Sequence, residues 1–371
     1  MHLGKVLLSF GALGLGALAS PDSRGSGSGI GSSHGHGSSG DGSPHGSDGG
    51  NPDPIKCQDP PLRKEWRQLN DFEKAEYLGA VHCLTSLKPI SPFKGVVNHY
   101  DDFQATHADQ TPYIHWVGFF ILWHRYFVAT YEKALREECQ YQGAQPYWNW
   151  ALDASKDENS TAIFETEIFS KTLGFGGNGK YEEATAEQNP FNLTGRTGGG
   201  CVEGGAFAPG LFTRNYPTPD CVRRDFIPWI MNSFAQQSLV DHVQAQDDYT
   251  SFARAIENIP SFSEPNIHGS GHFGAGGVLG TLGNSAQSPG DPLFFMHHTN
   301  LDRILWGWQL KDLPTRFHQV GGPIVPFDYG GKNVTLDFEV NIGTLAPNVT
   351  LEQLLNPQGD ILCYGYANVE H

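Results

Sequence analysis

The chain has 371 residues and a formal net charge of −16 at pH 7, from 40 acidic and 24 basic side chains. Nucleic acid is therefore excluded as an expected partner, because affinity for a phosphate backbone depends on Lys and Arg. An acidic surface of this kind favours solubility and does not repel small neutral molecules.

The first residues, 1–19, have the pattern of a secretory signal peptide. Lys5 gives a basic start, the run from Val6 to Ala19 is apolar, and Ala17-Leu18-Ala19 forms a small-residue cleavage site. The apolar run is too short to span a bilayer. We therefore expect this segment to be removed and the mature protein to be secreted, with no membrane attachment.

Residues 20–54 are rich in Gly, Ser, Asp and Pro. Because such a stretch has almost no apolar surface to bury, it cannot offset the entropy cost of ordering, and it is predicted to be a disordered linker. Its His34, His36 and His45 are interpreted as part of a solvated low-complexity segment rather than as metal ligands. Residues 55–371 are enough for one large domain with a buried core.

Two further features agree with export. Asn-x-Ser/Thr is a glycan acceptor only in the secretory route, and an even number of cysteines is typical of an oxidising compartment. Among the possible pairings we favour Cys201 with Cys221, which would fix a loop rich in Gly and Pro. The candidate glycosylation residues are Asn159, Asn192, Asn333 and Asn348, and the other candidate disulfide residues are Cys57, Cys83, Cys139 and Cys363.

Three helices are predicted from apolar residues that recur at helical intervals. The first covers 71–86, with Asp71 as its cap, and the second runs from about Trp116 to Glu138. The third opens at Asp291-Pro292, where an N-cap residue is followed by proline, and continues through Trp308.

The rest of the chain is predicted to be less regular. Residues 174–220 are interpreted mostly as loop, and the tail from 322, with its β-branched run Val334 to Val340, predicts a few short peripheral strands. The predicted fold class is therefore mainly α, with a central helical bundle, long loops and a few short strands.

Histidines fall in two separated blocks on or beside the predicted helices. His107, His115 and His124 form the first block, and His268, His272 and the pair His297-His298 form the second. Three imidazoles per block, with hardly a cysteine or clustered carboxylate among them, suit copper, with zinc, iron or nickel also possible. Two such blocks imply two metal ions.

The spacing within each block restricts how the ligands can converge. His115 and His124 are nine residues apart and would point to opposite sides of one helix, so His115 must precede the helix that carries His124; Pro112 makes a loop there plausible. His268 and His272 are four apart, so one helical turn would aim both at one ion. Glycines between them make that turn weak, and we expect a bound metal to help hold it.

His298 has Phe294 and Asp302 four residues to either side. A carboxylate commonly accepts the second N–H of a ligating histidine, so Asp302 could orient a ligand ring or pair with a nearby arginine. The spacing alone does not choose between His297 and His298.

Together these motifs resemble the tyrosinase and catechol oxidase family of dinuclear copper proteins, especially its short secreted fungal members. The matching stretches are Tyr-Asp-Asp-Phe-x-x-x-His ending at His107, Trp-His-Arg-Tyr-Phe around His124, His-x3-His, and Asp-Pro-x-Phe-x-x-His-His-x-x-x-Asp-Arg ending at Arg303. The resemblance implies that His107, His115 and His124 bind one copper and that His268, His272 and His298 bind the other. It implies that His297, Asp302, Arg303, Phe294 and Phe273 support the ligands or orient substrate.

Similar proteins bind dioxygen between the two coppers in a helical core and oxidise o-diphenols to o-quinones, and some also hydroxylate monophenols. Two departures matter here. Tyr113 stands where many fungal relatives have a cysteine linked to the second ligand, so no such crosslink is expected. Gly269 stands where proficient monophenol hydroxylases have an asparagine that, with a glutamate for which Glu257 is a plausible counterpart, holds a water acting as base.

We therefore expect small phenolic substrates and stronger oxidation of diphenols than hydroxylation of monophenols. Tyr364-Gly365-Tyr366 resembles the tyrosine motif that closes the catalytic domain in longer relatives, so we expect no C-terminal shielding domain. Three alternatives remain: a full tyrosinase with strong monophenol activity, an oxygen carrier of the haemocyanin kind, and, less plausibly, a hydrolase with two zinc ions.

Overall fold

A computed structural model describes residues 57–259 and 264–367, which belong to one compact unit. The predictions of a signal peptide at 1–19 and a linker at 20–54 lie outside the described residues. None of the helices in these described ranges is both long and apolar enough to cross a membrane.

The described residues are mainly helical, which confirms the predicted fold class. Six short strands form three two-stranded sheets: β1 (Leu62–Arg63) with β6 (Gly365–Tyr366), parallel, and β2 (Gly179–Tyr181) with β3 (Gly199–Val202) and β4 (Glu339–Val340) with β5 (Val349–Thr350), antiparallel. The α-helices are α1 (Asp71–Leu84), α2 (His99–Ile114), α3 (Phe120–Glu138), α4 (Pro228–Phe234), α5 (Gln237–Gln244), α6 (Tyr249–Glu257), α7 (Ile267–Gly269), α8 (Leu293–Gln309), α9 (Leu313–Arg316) and α10 (Leu351–Leu355).

The three predicted helices are present as α1, α3 and α8. In α1 the cap is Asn70 rather than Asp71: its side chain accepts from the Glu73 amide at 3.0 Å, and Glu73 accepts from the Asn70 amide at 2.9 Å. This reciprocal capping box satisfies donors that the first turn leaves free. The start of α8 differs from the prediction: its N-cap residue is Pro292, and Asp291, one residue earlier, accepts from the Leu293 amide through Oδ1 at 3.0 Å.

Helix α2 was not predicted, and Pro112 lies inside its last turn. Its polar residues are buried alongside its apolar ones, and other segments supply their hydrogen bonds. Asp102 accepts from the Ile90 and Ser91 amides at 2.8 and 3.0 Å, and Gln104 donates to the Tyr216 carbonyl at 2.9 Å. A helix buried on most sides lacks the polar face that helical periodicity needs to be visible.

Helices α3 and α8 pack together at the centre of the bundle. The rings of Tyr131 on α3 and Phe295 on α8 stack with centroids 3.5 Å apart, and Phe127 stacks on Phe295 at 6.0 Å. His124 on α3 and His298 on α8 lie at this interface, so the packing of the two helices sets the distance between these histidines.

Three disulfides are present. Cys201–Cys221 confirms the predicted pair, and the remaining cysteines form Cys83–Cys139 and Cys57–Cys363. The last pair joins residues 306 positions apart and ties the start of the described domain to its end. All four candidate glycosylation residues are exposed.

The loop prediction for 174–220 is correct apart from β2 and β3. In the tail, the predicted strand Val334 to Val340 is wrong over most of its length, since its strand segment is Glu339–Val340. The tail is also not wholly peripheral, because β6 pairs with β1 and carries Tyr366 into the core, with Tyr364 buried beside it.

A buried ion cluster, which we call the Asp302 cluster, joins this tail to α8. Asp302 Oδ1 accepts from Arg125 Nε, and its Oδ2 accepts from Arg63 at 3.1 Å. The Tyr364 and Tyr366 hydroxyls donate to the same Oδ2 at 2.6 and 2.5 Å. Arg63 also pairs with Glu132 at 2.6 Å, so two arginines and two carboxylates are satisfied inside the core.

Candidate metal centre

The first three predicted ligands meet at one point, which we call the first trio. His107 lies on α2, His115 directly follows α2 in an extended conformation, and His124 lies on α3. Their ring centroids are 5.4 Å (His107–His115), 5.6 Å (His107–His124) and 5.3 Å (His115–His124) apart. The expected break between His115 and the next helix is therefore present, and one ligand nitrogen of each ring lies within 4.8 Å of the others.

Backbone carbonyls set the orientation of these rings. The Nδ1 atoms of His115 and His124 contact the carbonyls of Thr111 and Phe120 at 3.0 and 2.8 Å, and His107 Nδ1 lies 3.4 Å from the Ala286 carbonyl. A carbonyl accepts only, so Nδ1 carries the proton and Nε2 keeps its lone pair. Among the described residues, the buried Nε2 atoms of His107 and His124 have no hydrogen-bond partner, which fits a metal ion.

The second trio consists of His268 on α7, His272 on a π-helical turn spanning Ser270–Ala275, and His298 on α8. Ring centroids lie 4.7 Å (His268–His272), 5.4 Å (His268–His298) and 5.3 Å (His272–His298) apart. His272 Nδ1 contacts the Leu282 carbonyl at 2.8 Å, and the Nε2 atoms of His272 and His298 face each other at 3.1 Å. This geometry resolves the choice that spacing left open, because His298 and not His297 joins the trio.

The two trios face each other. The His124 and His298 rings stack with centroids 4.4 Å apart and planes 12° from parallel, and His115 stacks on His268 at 6.0 Å. Ions held by the two trios would therefore be immediate neighbours.

Two phenylalanines enclose the six rings. The ring centroid of Phe294 lies 4.1 Å from that of His298 and 5.2 Å from that of His107. The ring centroid of Phe120 lies 4.6 Å from that of His268 and 4.7 Å from that of His124. Both are fully buried, so they keep water away from the sides of the site and hold the imidazoles apart from the rest of the core.

Burial makes all six imidazoles poor bases. It lowers the pKa of His115 and His272 to about 4 and lowers the pKa of the other four well below their usual value. Neutral imidazole is the form that binds metals. Six neutral nitrogen donors, with no carboxylate in either trio within the described ranges, fit a copper pair better than the carboxylate-bridged sites typical of dizinc hydrolases.

Glu257, at the end of α6, lies beside the second trio. Its two carboxylate oxygens accept from the Trp116 amide at 3.2 and 3.1 Å, and its Oε1 is 3.8 Å from His268 Nδ1. Burial raises the pKa of this carboxyl well above its usual value. Gly269 donates its amide to Asn266 Oδ1 at 2.6 Å, and a Cβ at this position would face Asn266 and Phe234.

The other supporting residues are spread more widely. Phe273 is half-buried and packs against a small apolar cluster formed by Ile227, Ile230 and Phe234. The hydrogen bonds of Asp302 go to arginines and tyrosines, so of its two possible roles the arginine pairing is the one that these bonds show.

Arg303 donates to Asn300 at 2.9 Å, lies over the Tyr147 ring and makes its described contacts away from both trios. Tyr113 is 67% exposed, two residues before His115.

Sequence reasoning missed the groups that orient the ligands from a distance. The carbonyls of Leu282 and Ala286, in the loop between the π-helical turn and α8, contact His272 and His107. Trp150 donates its indole N–H to His297 Nδ1 at 3.2 Å. Backbone carbonyls carry no side-chain signature, and no spacing rule connects Trp150 to a histidine 147 residues away.

Comparison with known proteins places these features in context. A family profile described as the common central domain of tyrosinase matches residues 97–311, which include both trios. The tyrosinase-like protein phomQ1 of Diaporthe leptostromiformis is 31% identical, over 87% of this chain and 81% of its own length. Tyrosinase P of Aspergillus terreus is 30% identical, over 84% and 93% respectively.

The similarity extends to solved structures. A polyphenol oxidase from Thermothelomyces thermophila, solved in a mutant form, is 28% identical with a TM-score of 0.71, covering 83% of this chain and 88% of that one. The N-acetyl-6-hydroxytryptophan oxidase ivoB of Emericella nidulans is 29% identical, over 82% of this chain and 92% of its own.

Proposed function

The chain belongs to the tyrosinase family of copper oxidoreductases, and from that premise we propose that it is a secreted dicopper polyphenol oxidase that uses dioxygen to oxidise o-diphenols to o-quinones. The observation that carries the proposal is the meeting of six neutral imidazoles, five buried and His268 partly exposed, as two facing trios. His107, His115 and His124 would hold one copper, and His268, His272 and His298 the other.

The protein's part in the reaction is to hold and shield. Carbonyl contacts to Nδ1 of His107, His115, His124 and His272 keep the Nε2 lone pairs directed inward. A bound copper pair supplies the redox chemistry, passing electrons from two catechols to one dioxygen to give two quinones and two waters. Because α3 and α8 pack together and each carries a ligand, the trios would hold the copper pair in one place for the substrate.

We propose that hydroxylation of monophenols is the weaker activity. A monophenol must lose its proton to a positioned base, and Glu257 is buried close enough to His268 to serve through a water. The Trp116 amide donates to both oxygens of that carboxyl, and Gly269 has no side chain that could help to hold a water near it. Oxidation of a catechol forms no new C–O bond, so we expect it to depend less on that water.

The test is a comparison of oxygen consumption on a catechol and on its parent phenol. We expect rapid quinone formation from the catechol and slow, lagging turnover of the phenol. Gly269→Asn should raise the ratio of phenol to catechol activity, and Gly177→Asn, at a glycine with open space around it, is the matched control. Equal rates on both substrates without a lag in the unaltered protein would overturn the preference for diphenols.

Metal analysis tests the oxidase assignment itself. Two coppers per chain in the unaltered protein support it, as does a His124→Gln variant that loses one of the two coppers together with turnover. Stoichiometric zinc without copper would instead support a dizinc hydrolase. Dioxygen binding without quinone formation would instead support an oxygen carrier.

We further propose that residues 1–19 are removed on export, leaving the linker 20–54 and a catalytic domain at 55–371. The pairing of all six cysteines and the exposure of all four sequons support this route. N-terminal sequencing and a mass shift on glycosidase treatment test it, and a retained Met1 with unmodified sequons would contradict it.

A further inference from the structure

His297 lies directly behind the second trio without belonging to it. The side chain is fully buried, with its ring centroid 5.2 Å from that of His272 and stacked at 6.2 Å on His268. Both of its nitrogens are occupied, so it has no lone pair free for a metal ion.

The chemistry of Trp150 fixes which nitrogen of His297 carries the proton. An indole N–H can only donate, so Nδ1 of His297, 3.2 Å away, must accept. The proton of the neutral ring therefore lies on Nε2, which donates to the His268 carbonyl at 2.9 Å. Trp150 is itself fully buried, so the order of donors and acceptors runs one way, from Trp150 through His297 to His268.

The backbone between the two ligands fits this ring closely. A Cβ on Gly271 would lie 2.6 Å from His297 Nδ1, so only glycine leaves room for the imidazole there. The chain changes from α-helical to π-helical at this point, and such changes recur at functional sites. The glycine-containing turn, which we expected a bound metal to help hold, is also held by a side chain of α8.

We propose that His297, oriented by Trp150, is a positioning residue that sets the His268–His272 turn for the second copper before the metal binds. The inference rests on the proposed dicopper function. The two adjacent histidines then have different roles. His298 would bind the copper, and His297 would hold the turn that carries His268 and His272.

The experiment replaces His297 by glutamine and by asparagine, whose amide groups reach the positions of different ring nitrogens. In His297→Gln the amide nitrogen takes the place of Nε2 and can still donate to the His268 carbonyl. In His297→Asn the amide oxygen takes the place of Nδ1, which keeps the contact with Trp150 and loses the one with His268. His82→Gln is the matched control, since His82 Nε2 contacts the Ala206 carbonyl at 2.8 Å in another part of the core.

Copper affinity is measured by titrating metal-free protein with copper(I) in competition with a chromophoric chelator. His107→Gln serves as the background, because it removes a ligand of the first trio and leaves the second intact. In that background we expect His297→Asn to weaken copper binding about 10- to 100-fold, the usual effect of losing an outer partner of a ligand. We expect His297→Gln and His82→Gln to change it far less, and Trp150→Phe to lie between.

The outcomes separate the two proposals. If the unaltered chain does not bind two coppers, the proposed function fails. If it binds two, and His297→Asn binds copper as tightly as His297→Gln, the positioning role fails while the oxidase stands. Thermal unfolding of the metal-free variants adds a second readout: a purely structural role would lower the unfolding temperature and copper affinity of both amides together, which would also overturn the inference.

Discussion

Replacing Asp302 by asparagine is expected to destabilise the protein by removing the counter-charge of a buried arginine. Asp302 bonds Arg125 through one oxygen and Arg63 through the other. In Asp302→Asn, Arg63 still has Glu132 at 2.6 Å, whereas Arg125 keeps only the neutral oxygens of Gln309, Leu354 and Leu355. One cation is therefore left buried without an anion, and the new amide N–H₂ faces other donors.

The expected loss of stability follows from leaving one buried arginine without a counter-charge. Leaving one partner of a buried ion pair uncompensated costs about 3–5 kcal/mol. Each kcal/mol lowers Tm by roughly 2–4 °C in a domain of 150–250 residues, so we expect a fall of roughly 6–20 °C. Glu203→Gln is the control: its pair with Lys171 spans 3.8 Å with both side chains about two-thirds exposed, and such pairs contribute about 1 kcal/mol at most.

The assay is thermal unfolding of the metal-free proteins followed by circular dichroism, repeated across pH. Burial alone would raise the pKa of Asp302, but Arg125 and Arg63 outweigh burial and hold it below its usual value. A carboxylate of this kind stabilises the fold above its unfolded pKa of about 3.9 and loses that contribution as the pH falls through its folded value. The Tm difference should therefore be full at pH 7 and shrink below about pH 4.

Two results would refute this reasoning. One is an Asp302→Asn protein that melts within roughly 2 °C of the unaltered chain at pH 7. The other is a Tm difference that does not change on acidification.

Three further predictions concern the turn, the disulfides and the metal. Gly271→Ala places a methyl group 2.6 Å from His297 Nδ1, so copper binding at the second trio should weaken roughly tenfold or more, and unchanged copper titrations would contradict this. Replacing both Cys57 and Cys363 by Ser opens a link between residues 306 apart and should lower stability by about 2–5 kcal/mol, more than opening the 20-residue link of Cys201–Cys221. Thermal unfolding in which the short link mattered more would count against chain entropy as the cause. Removing copper with a chelator should lower Tm and adding it back should restore it, because a ligand specific to the folded state stabilises that state; calorimetry showing identical curves would mean that the trios do not bind copper in the folded protein.

The sequence predicted the parts of the fold that depend on local pattern. Helices α1, α3 and α8 have apolar residues at helical intervals and recognisable starts, and Cys201–Cys221 closes a short loop. The three-and-three grouping of histidines predicted two clusters because each set is carried by elements whose ends or faces can converge. These features need no knowledge of distant contacts.

The remaining features depend on contacts that spacing does not encode. Helix α2 escaped prediction because Asp102 and Gln104 find partners in other segments, which removes the polar face. His297 and His298 are adjacent on α8 and point in different directions. His297 contacts Trp150 and the His268 carbonyl, whereas His298 stacks on His124 of the first trio. The sequence does not encode these distant contacts. The tail was expected at the surface, but Tyr364 and Tyr366 are drawn inward by a buried charge.

The Asp302 cluster also imposes an order in time. Arg63 and Tyr366 are 303 positions apart, so at a synthesis rate of about 5–20 residues per second the arginine waits roughly 15 to 60 s for its tyrosine partner. Until β6 leaves the ribosome, Asp302 and the two arginines have neither hydroxyl to complete their bonds, and β1 has no strand to pair with. The helix that presents His298 therefore completes this part of its packing only after β6 has been synthesised.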